Sequence, residues 1–439
     1  QVPIFEDPQK IQGVIEASVG GTKNDPPLVV RRAYGFGRIT WIGIDLDTRT
    51  FASWPGTDSL VLKLLDIQDR GDSDGRAGEA RRGGLDLAGQ LRLAVDKYLS
   101  VSVIPFELIA LIGLLYVAAL YPLDWWIARQ SERFRWITWL TLPLIVLAFT
   151  GIAWSTSQRF KPDGWQIHTA GVFDIDQATR TCRSTSFAGI WSSNNGRFNL
   201  STSPTQGTTR EDSRAVVSWF AASGRNIGGP DALTPHPSLA GAPYEYGSSV
   251  ARLQNISIAA ASSQLFEASS TSRLPTVSIQ STLSRTGQGT LRGTITNQLQ
   301  ISLSDCVLMH AGWLYDIGTL RPGDTFDLEA GKGPRSLGAF LTKKQAVKDR
   351  NVSARWKSDD RDISRILEVA GMHRATGGPE YTGLQSGRLE HIDMTHLLAL
   401  DRIILMGKGP PATKWLPQKT SDSELKHLKD AGDTTLWRI

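Results

Sequence analysis

The chain has 439 residues, 40% of them hydrophobic and 21% charged, with a formal charge of +5, 14 Trp and only 2 Cys. At about 150 residues per domain this length suits two to four domains with sizeable cores, and the hydrophobic share excludes wholesale disorder. Two cysteines exclude a disulfide-dense scaffold and a four-cysteine zinc site, and so small a charge excess gives no reason to expect a nucleic-acid partner.

Residues 28–34 and 38–45 are strand-like, and Gly35-Phe36-Gly37 between them reads as a tight hairpin turn. A Gly-x-Gly also occurs in phosphate-binding loops, but here it joins two strands and opens no helix. Residues 57–67 carry Leu and Val at helical spacing, and the charged, Gly-rich stretch 69–84 reads as a loop. Residues 1–100 are therefore expected to form a partial α/β unit. The start at Gln1, with no signal peptide, reads as that of a fragment or a processed product whose upstream part completes that unit.

Residues 108–123 are uncharged, and extension back to Val101 adds one acid, Glu107. Residues 136–158 form a second uncharged run. A span needs about 20 apolar residues to cross about 30 Å of hydrocarbon, so residues 101–158 predict a two-helix transmembrane hairpin, with spans at about 103–123 and 136–156. Trp125, Trp126, Trp136, Trp139 and Trp154 sit at the ends of these runs, where indole rings favour the headgroup zone. The connector 124–135 carries Arg129, Arg133 and Arg135 against Asp124 and Glu132. Positive residues in short loops stay cytoplasmic, which predicts a cytoplasmic tip with both large flanks outside the cytoplasm.

Past Lys161, Ser, Thr, Gly and Asn become frequent, and short apolar runs recur at 164–176, 215–220, 276–283, 290–297, 299–309 and 312–320. Turn residues separate most of them, so residues 159–345 predict a sandwich-like β domain, with 224–249 as a long loop. Residues 346–439 read as a mixed α/β extension of it. There, Ile363, Ile366, Leu367 and Ala370 share a helical face after Asp359 and Asp360, 391–400 suits a second helix, and 402–407 suits a strand ended by Gly407, Gly409 and Pro410. The expected class is an α+β membrane protein: a partial α/β unit, a transmembrane hairpin and a β-rich domain with a few helices.

No catalytic, cofactor-binding or metal-binding residue is assigned. Cys182 and Cys306 are more than 120 residues apart and could be bridged outside the cytoplasm or remain buried thiols. His168 and His310 fall in strand regions. On a helix, His391 and His396 would point apart by about 140°, which does not suit a shared metal. Neither a nucleophile elbow, nor a Walker loop, nor His-Glu-x-x-His occurs. Asn199, Asn255 and Asn351 match the glycosylation pattern, and Asp305 and Asp316 flank an apolar strand pair with turn or edge roles in view. Trp165, Trp191, Trp219 and Trp313 could be core residues or carbohydrate-stacking platforms.

Three stretches carry a family resemblance. Tyr34-Gly-Phe-Gly-Arg-Ile-Thr-Trp-Ile-Gly-Ile-Asp-Leu-Asp47 with Trp54-Pro55 resembles the end of a class I glutamine amidotransferase-like domain in certain bacterial two-span membrane proteins. Residues 104–154 resemble their hairpin. Leu291-Arg-Gly-Thr-Ile-Thr-Asn-Gln-Leu299 through Trp313-Leu-Tyr-Asp-Ile-Gly-Thr-Leu-Arg-Pro-Gly323 resembles part of their extracytoplasmic β-sandwich. Such proteins carry an amidotransferase-like or von Willebrand factor A-like domain before the hairpin. The resemblance implies a protein of the bacterial cytoplasmic membrane with no assigned reaction. The leading expectation is thus a membrane-anchored binding or envelope-assembly protein, with the lipid bilayer and other envelope proteins as partners. An enzyme whose active site lies upstream of Gln1, and a carbohydrate-binding module, are the alternatives.

Overall fold

The computed structural model describes residues 11, 13–20, 25–66, 86–97, 105–123, 138–160, 164–205, 214–221, 244–274, 278–287, 289–347, 350–419 and 428–439. Alternating apolar residues and a turn glycine build the first sheet. Strands β1 (Val14–Ser18), β2 (Pro27–Tyr34) and β3 (Gly37–Ile42) pair antiparallel in that order. The β2–β3 register sets Tyr34 opposite Gly37, and Gly35 at φ +58 takes the left-handed conformation that the two-residue turn requires. Two helices follow, α1 (Arg49–Ala52) and α2 (Thr57–Leu65).

The next helix, α3 (Leu87–Val95), falls between the expected loop and the first apolar run. The Asp86 carboxylate caps it by accepting the Gly89 N–H at 2.6 Å. Leu87, Ala88, Leu91, Ala94 and Val95 are buried in one hydrophobic cluster with Ala33, Val172, Phe187, Ile366, Leu367 and Leu436. Residues 86–97 therefore share a core with strands and helices more than 75 residues further along the chain, across the boundary placed at residue 100.

The two apolar runs do not form the predicted hairpin. The first is α4 (Phe106–Ala118), 13 residues long, and Ala119–Leu123 with Pro122 widens into a π-helical turn. Proline has no N–H to donate and its ring crowds the preceding turn, which suits the wider π turn at Pro122. The second is α5 (Thr138–Phe160), 23 residues, and among the described residues it is the one helix long and apolar enough to cross a membrane. Trp125, Trp126, Trp136, Arg129, Arg133 and Arg135 lie outside the described residues. Among the described residues 42% are strand and 28% helix, so the fold is β-rich, which corrects the α+β two-span class.

The remaining strands are β4 (Trp165–Asp176), β5 (Thr181–Ser192), β6 (Gly196–Pro204), β7 (Arg214–Ala221), β8 (Glu245–Tyr246), β9 (Arg252–Ile258), β10 (Ser262–Arg273), β11 (Ile279–Ser281), β12 (Ser284–Arg285), β13 (Leu291–Arg292), β14 (Thr294–Asn297), β15 (Leu303–His310), β16 (Trp313–Leu320), β17 (Thr325–Asp327), β18 (Arg335–Ser336), β19 (Gln345–Val347), β20 (Arg350–Val352), β21 (Ile404–Gly409), β22 (Thr413–Lys419) and β23 (Leu428–Arg438). A nine-stranded sheet runs β18-β16-β15-β21-β23-β4-β5-β10-β7, and β23 beside β4 is its parallel pair. Smaller sheets run β22-β6-β9-β8 and β11-β14-β17.

Side chains alternate across the large sheet as the strand period requires. Val172 and Phe187 face the helical layer. Ile190 packs with Phe198, Leu253 and Trp415 of the four-stranded sheet, and Phe173 packs with Ile279 and Ile295 of the three-stranded one. The helical layer adds α6 (Leu337–Leu341), α7 (Ile363–Gly371), α8 (Pro379–Thr382) and α9 (Thr395–Ala399). Asp362, not Asp359 or Asp360, caps α7 by accepting the Arg365 N–H at 3.2 Å. The helix predicted over 391–400 is two pieces, a 3₁₀ turn over Gly387–Ile392 and α9, because Asp393 is extended and its carboxylate ties back to the Thr395 N–H at 2.9 Å. Gly407 lies inside β21, and Gly409 is its last residue, before Pro410. A Cβ on either would stand 2.8 Å from Cys306 Sγ or 2.7 Å from Trp437 Nε1, so their role is close strand packing.

Candidate functional site

A half-open cavity of about 390 Å³ lies where β4 ends, beside the loop that enters β21 and the end of β23. Its apolar walls include Ile175, Ile279, Leu308, Leu397, Leu405 and Ile439, and the β2–β3 turn closes one side with Gly35 and Phe36. Asp176, Asp401, Arg402 and Arg438 are the charged residues of its lining. An aliphatic cavity of this size with a few polar groups has the form of a small-ligand site.

The hairpin turn is fixed to the body by three contacts. The Arg183 guanidinium lies 4.8 Å from the Phe36 ring centre, a cation–π distance. His396 Nε2 is 3.2 Å from the Phe36 carbonyl oxygen, and Arg402 donates to the Ala33 carbonyl oxygen at 3.2 Å. Burial lowers the His396 pKa, which keeps its imidazole neutral, so Nε2 must carry the hydrogen to donate there.

Below the cavity floor sits a buried ion pair. Arg438 is 0% exposed and Asp174 2%. The contact is bidentate, Nε to Oδ1 at 2.7 Å and Nη2 to Oδ2 at 3.1 Å. Arg438 Nη1 also donates to the Ile392 and Gly371 carbonyls at 2.7 and 3.2 Å, and Arg183 joins Asp174 from the rim at 2.8 Å. Four of the five Arg438 N–H donors thereby have partners, as a buried guanidinium requires.

The predicted chemistry-bearing residues are scattered. Cys182 and Cys306 are free and buried, not bridged. Burial, with Asp174 nearby, pushes the Cys182 thiol up to about 12, and burial pushes Cys306 to about 11. His391 and His396 bond to separate backbone carbonyls, those of Arg388 and Phe36. His168 bonds the Val95 carbonyl at 3.0 Å, and His310 meets the Asp401 carboxylate at 2.9 Å. Asp305 pairs with Lys408 and Asp316 with Arg335. Asn199 is buried and accepts from the Asn255 N–H at 3.1 Å, a structural role. His236 and His427 lie outside the described residues, as does most of the 224–249 loop.

The four candidate stacking tryptophans divide. Trp191 is buried, Trp165 stacks edge-on against Phe198, and Trp219 does so against Tyr244. Only Trp313 among them is an exposed residue of its strand, at 39%. Trp139 and Trp154 stand exposed on α5, at 87% and 67%. Among the described residues no group of three or more His, Cys, Asp or Glu is arranged to hold a metal ion. The cavity residues Arg402 and Arg438, and Asp174 beneath them, had no motif to mark them. The only signal for Arg438 and Asp174 was a charge inside each of two otherwise apolar strand runs.

A family described as a domain of unknown function, DUF8725, matches residues 278–375, which include the 291–323 stretch. No curated protein matches the chain. Two solved structures of the yeast delta-COP-I mu-homology domain align, one complexed with a Dsl1 WxWxV peptide and one alone. Their TM-scores are 0.28 and 0.29 at 8% and 7% identity, and each alignment covers 63% of this chain and 95% of that domain. Likeness at that level assigns neither a fold nor a function. The chain is thus a β-rich protein that contains a domain of unknown function.

Proposed function

We propose that the chain is a membrane-attached binding protein of the bacterial envelope, in which lipid holds helix α5 and the β-rich body presents the site for other envelope components. The observation that carries this reading is α5 itself. At 1.5 Å per residue, a helix of its length is about 34 Å long, against about 30 Å of hydrocarbon. Trp139, Leu140, Leu142, Leu144, Leu147, Ile152 and Trp154 all project from it without burial inside the protein. Burying one such side chain is worth about 1.5–3 kcal/mol, so seven left in water forgo roughly 10 kcal/mol or more. A bilayer recovers that energy. The Tyr116 and Phe149 rings meet at 5.3 Å, which keeps α4 beside α5.

Flotation of the full chain with phospholipid vesicles tests the reading. The parent chain is expected in the lipid fraction, and Leu144→Lys with Leu147→Lys is expected to leave it. A parent chain that stays at the bottom of the gradient as a folded monomer would sink the proposal.

A further inference from the structure

We infer that the cavity under the β2–β3 turn binds a medium-length aliphatic carboxylate, with Arg402 holding its head group. The inference deepens the reading of the body as a binding module and is independent of how α5 meets lipid.

Donor capacity decides the charge of the ligand. Four charged residues line the cavity. Asp174, Gly371 and Ile392 take four of the five Arg438 N–H donors. Asp401 accepts from His310 at 2.9 Å and from Arg285 at 3.4 Å. Asp176 accepts from the Thr179 N–H at 3.0 Å and from the Thr179 hydroxyl. Arg402 carries five N–H donors, and its one contact among the described residues is the Ala33 carbonyl. It faces no carboxylate as an ion-pair partner there. A guanidinium fork with spare donors beside an aliphatic wall fits a carboxylate bidentately. The two acids of the lining oppose a second negative charge, so the ligand carries one.

The walls decide the rest. Ile175, Ile279, Leu308 and Leu405 come from four strands, and Leu397 from α9. They offer an alkyl chain an apolar wall, while Gln177, Ser281 and the charged residues occupy the rest of the lining. A cavity of about 390 Å³ takes an unbranched chain of roughly ten carbons with room for its head. Because Arg402 also holds Ala33, an occupied site ties the β2–β3 turn to β21.

Carbonyl-labelled decanoate is titrated into the full chain in lipid nanodiscs, with empty nanodiscs as reference, and the bound carboxyl resonance is followed by NMR. A saturable site for decanoate is expected, with none for decylamine. Arg402→Gln should weaken it roughly tenfold to a hundredfold, the range of one charge-assisted contact. Leu283→Trp keeps Arg402, fills the cavity and should abolish the site even if Arg402→Gln disturbs folding. Equal binding of decylamine, an undiminished site in either variant, no saturable decanoate, or saturation by an apolar peptide carboxylate in place of decanoate overturns the inference. Flotation reads membrane attachment separately, so the two readings fail independently.

Discussion

Asp174→Ala isolates the Arg438 guanidinium at the centre of the large sheet. The native pair is buried and bidentate, with a second guanidinium, Arg183, on the same carboxylate. After the substitution Arg438 retains only the Gly371 and Ile392 carbonyls as partners. Removing one partner of a buried ion pair typically costs about 3–5 kcal/mol, because a desolvated charge is left uncompensated. For a body of this size each kcal/mol moves the melting temperature by about 2–4 °C, so the single variant should melt roughly 6–20 °C below the parent. Adding Arg438→Met removes the stranded charge and should restore most of that loss. Thermal unfolding by circular dichroism, with urea midpoints as a second measure, reads both variants. A single variant within about 2 °C of the parent, or a double variant no better than the single, would refute the reasoning.

Three further outcomes follow from burial. Burial pushes the Asp96 carboxyl up to about 6, against the hydrogen bond from Ser263. A raised folded-state value means that this group favours the fold when protonated, fully so below its ordinary value near 3.8, and that the benefit is lost as pH rises through about 6. The loss is roughly 2 kcal/mol between pH 4 and pH 7, and Asp96→Asn should flatten that part of the pH profile of urea midpoints. Leu91→Ala in α3 should cost about 2–5 kcal/mol and speed amide exchange in residues 87–95 and 363–371 together, since both helices share one cluster. Cys182 and Cys306 should resist maleimide at pH 8 in the folded chain and react in denaturant, because burial keeps both as thiols.

Much of the strand content was legible in the chain. Gly35 between two alternating runs marked the first hairpin, and the apolar runs 299–309 and 312–320 marked β15 and β16. These are local signals, carried by a turn residue and a period of two. Helix α3 was not legible. It is only nine residues long, follows a Gly-rich charged stretch and precedes a far more apolar run, and its burial depends on α7, which lies about 270 residues later. The parallel pairing of β23 with β4 has the same cause. Neither strand names its partner when the contact spans more than 250 residues. Of the first predicted span, the described part is a 13-residue α-helix and a π-helical turn that contains Pro122, whereas α5 keeps its helix through Pro143. The cavity was invisible because its charged residues come from β4, β23 and the loop before β21, and none shares a motif.

The central claim is that lipid holds α5, and depth measurement tests it most directly. Leu147→Cys places one reactive thiol at the middle of α5, while Cys182 and Cys306 stay unreactive in the fold. A fluorophore attached there, in the full chain with phospholipid vesicles, should be quenched by lipids carrying a nitroxide deep in the acyl chain and spared by aqueous iodide. Quenching by iodide with no effect of the lipid nitroxide would place α5 in water and contradict the account.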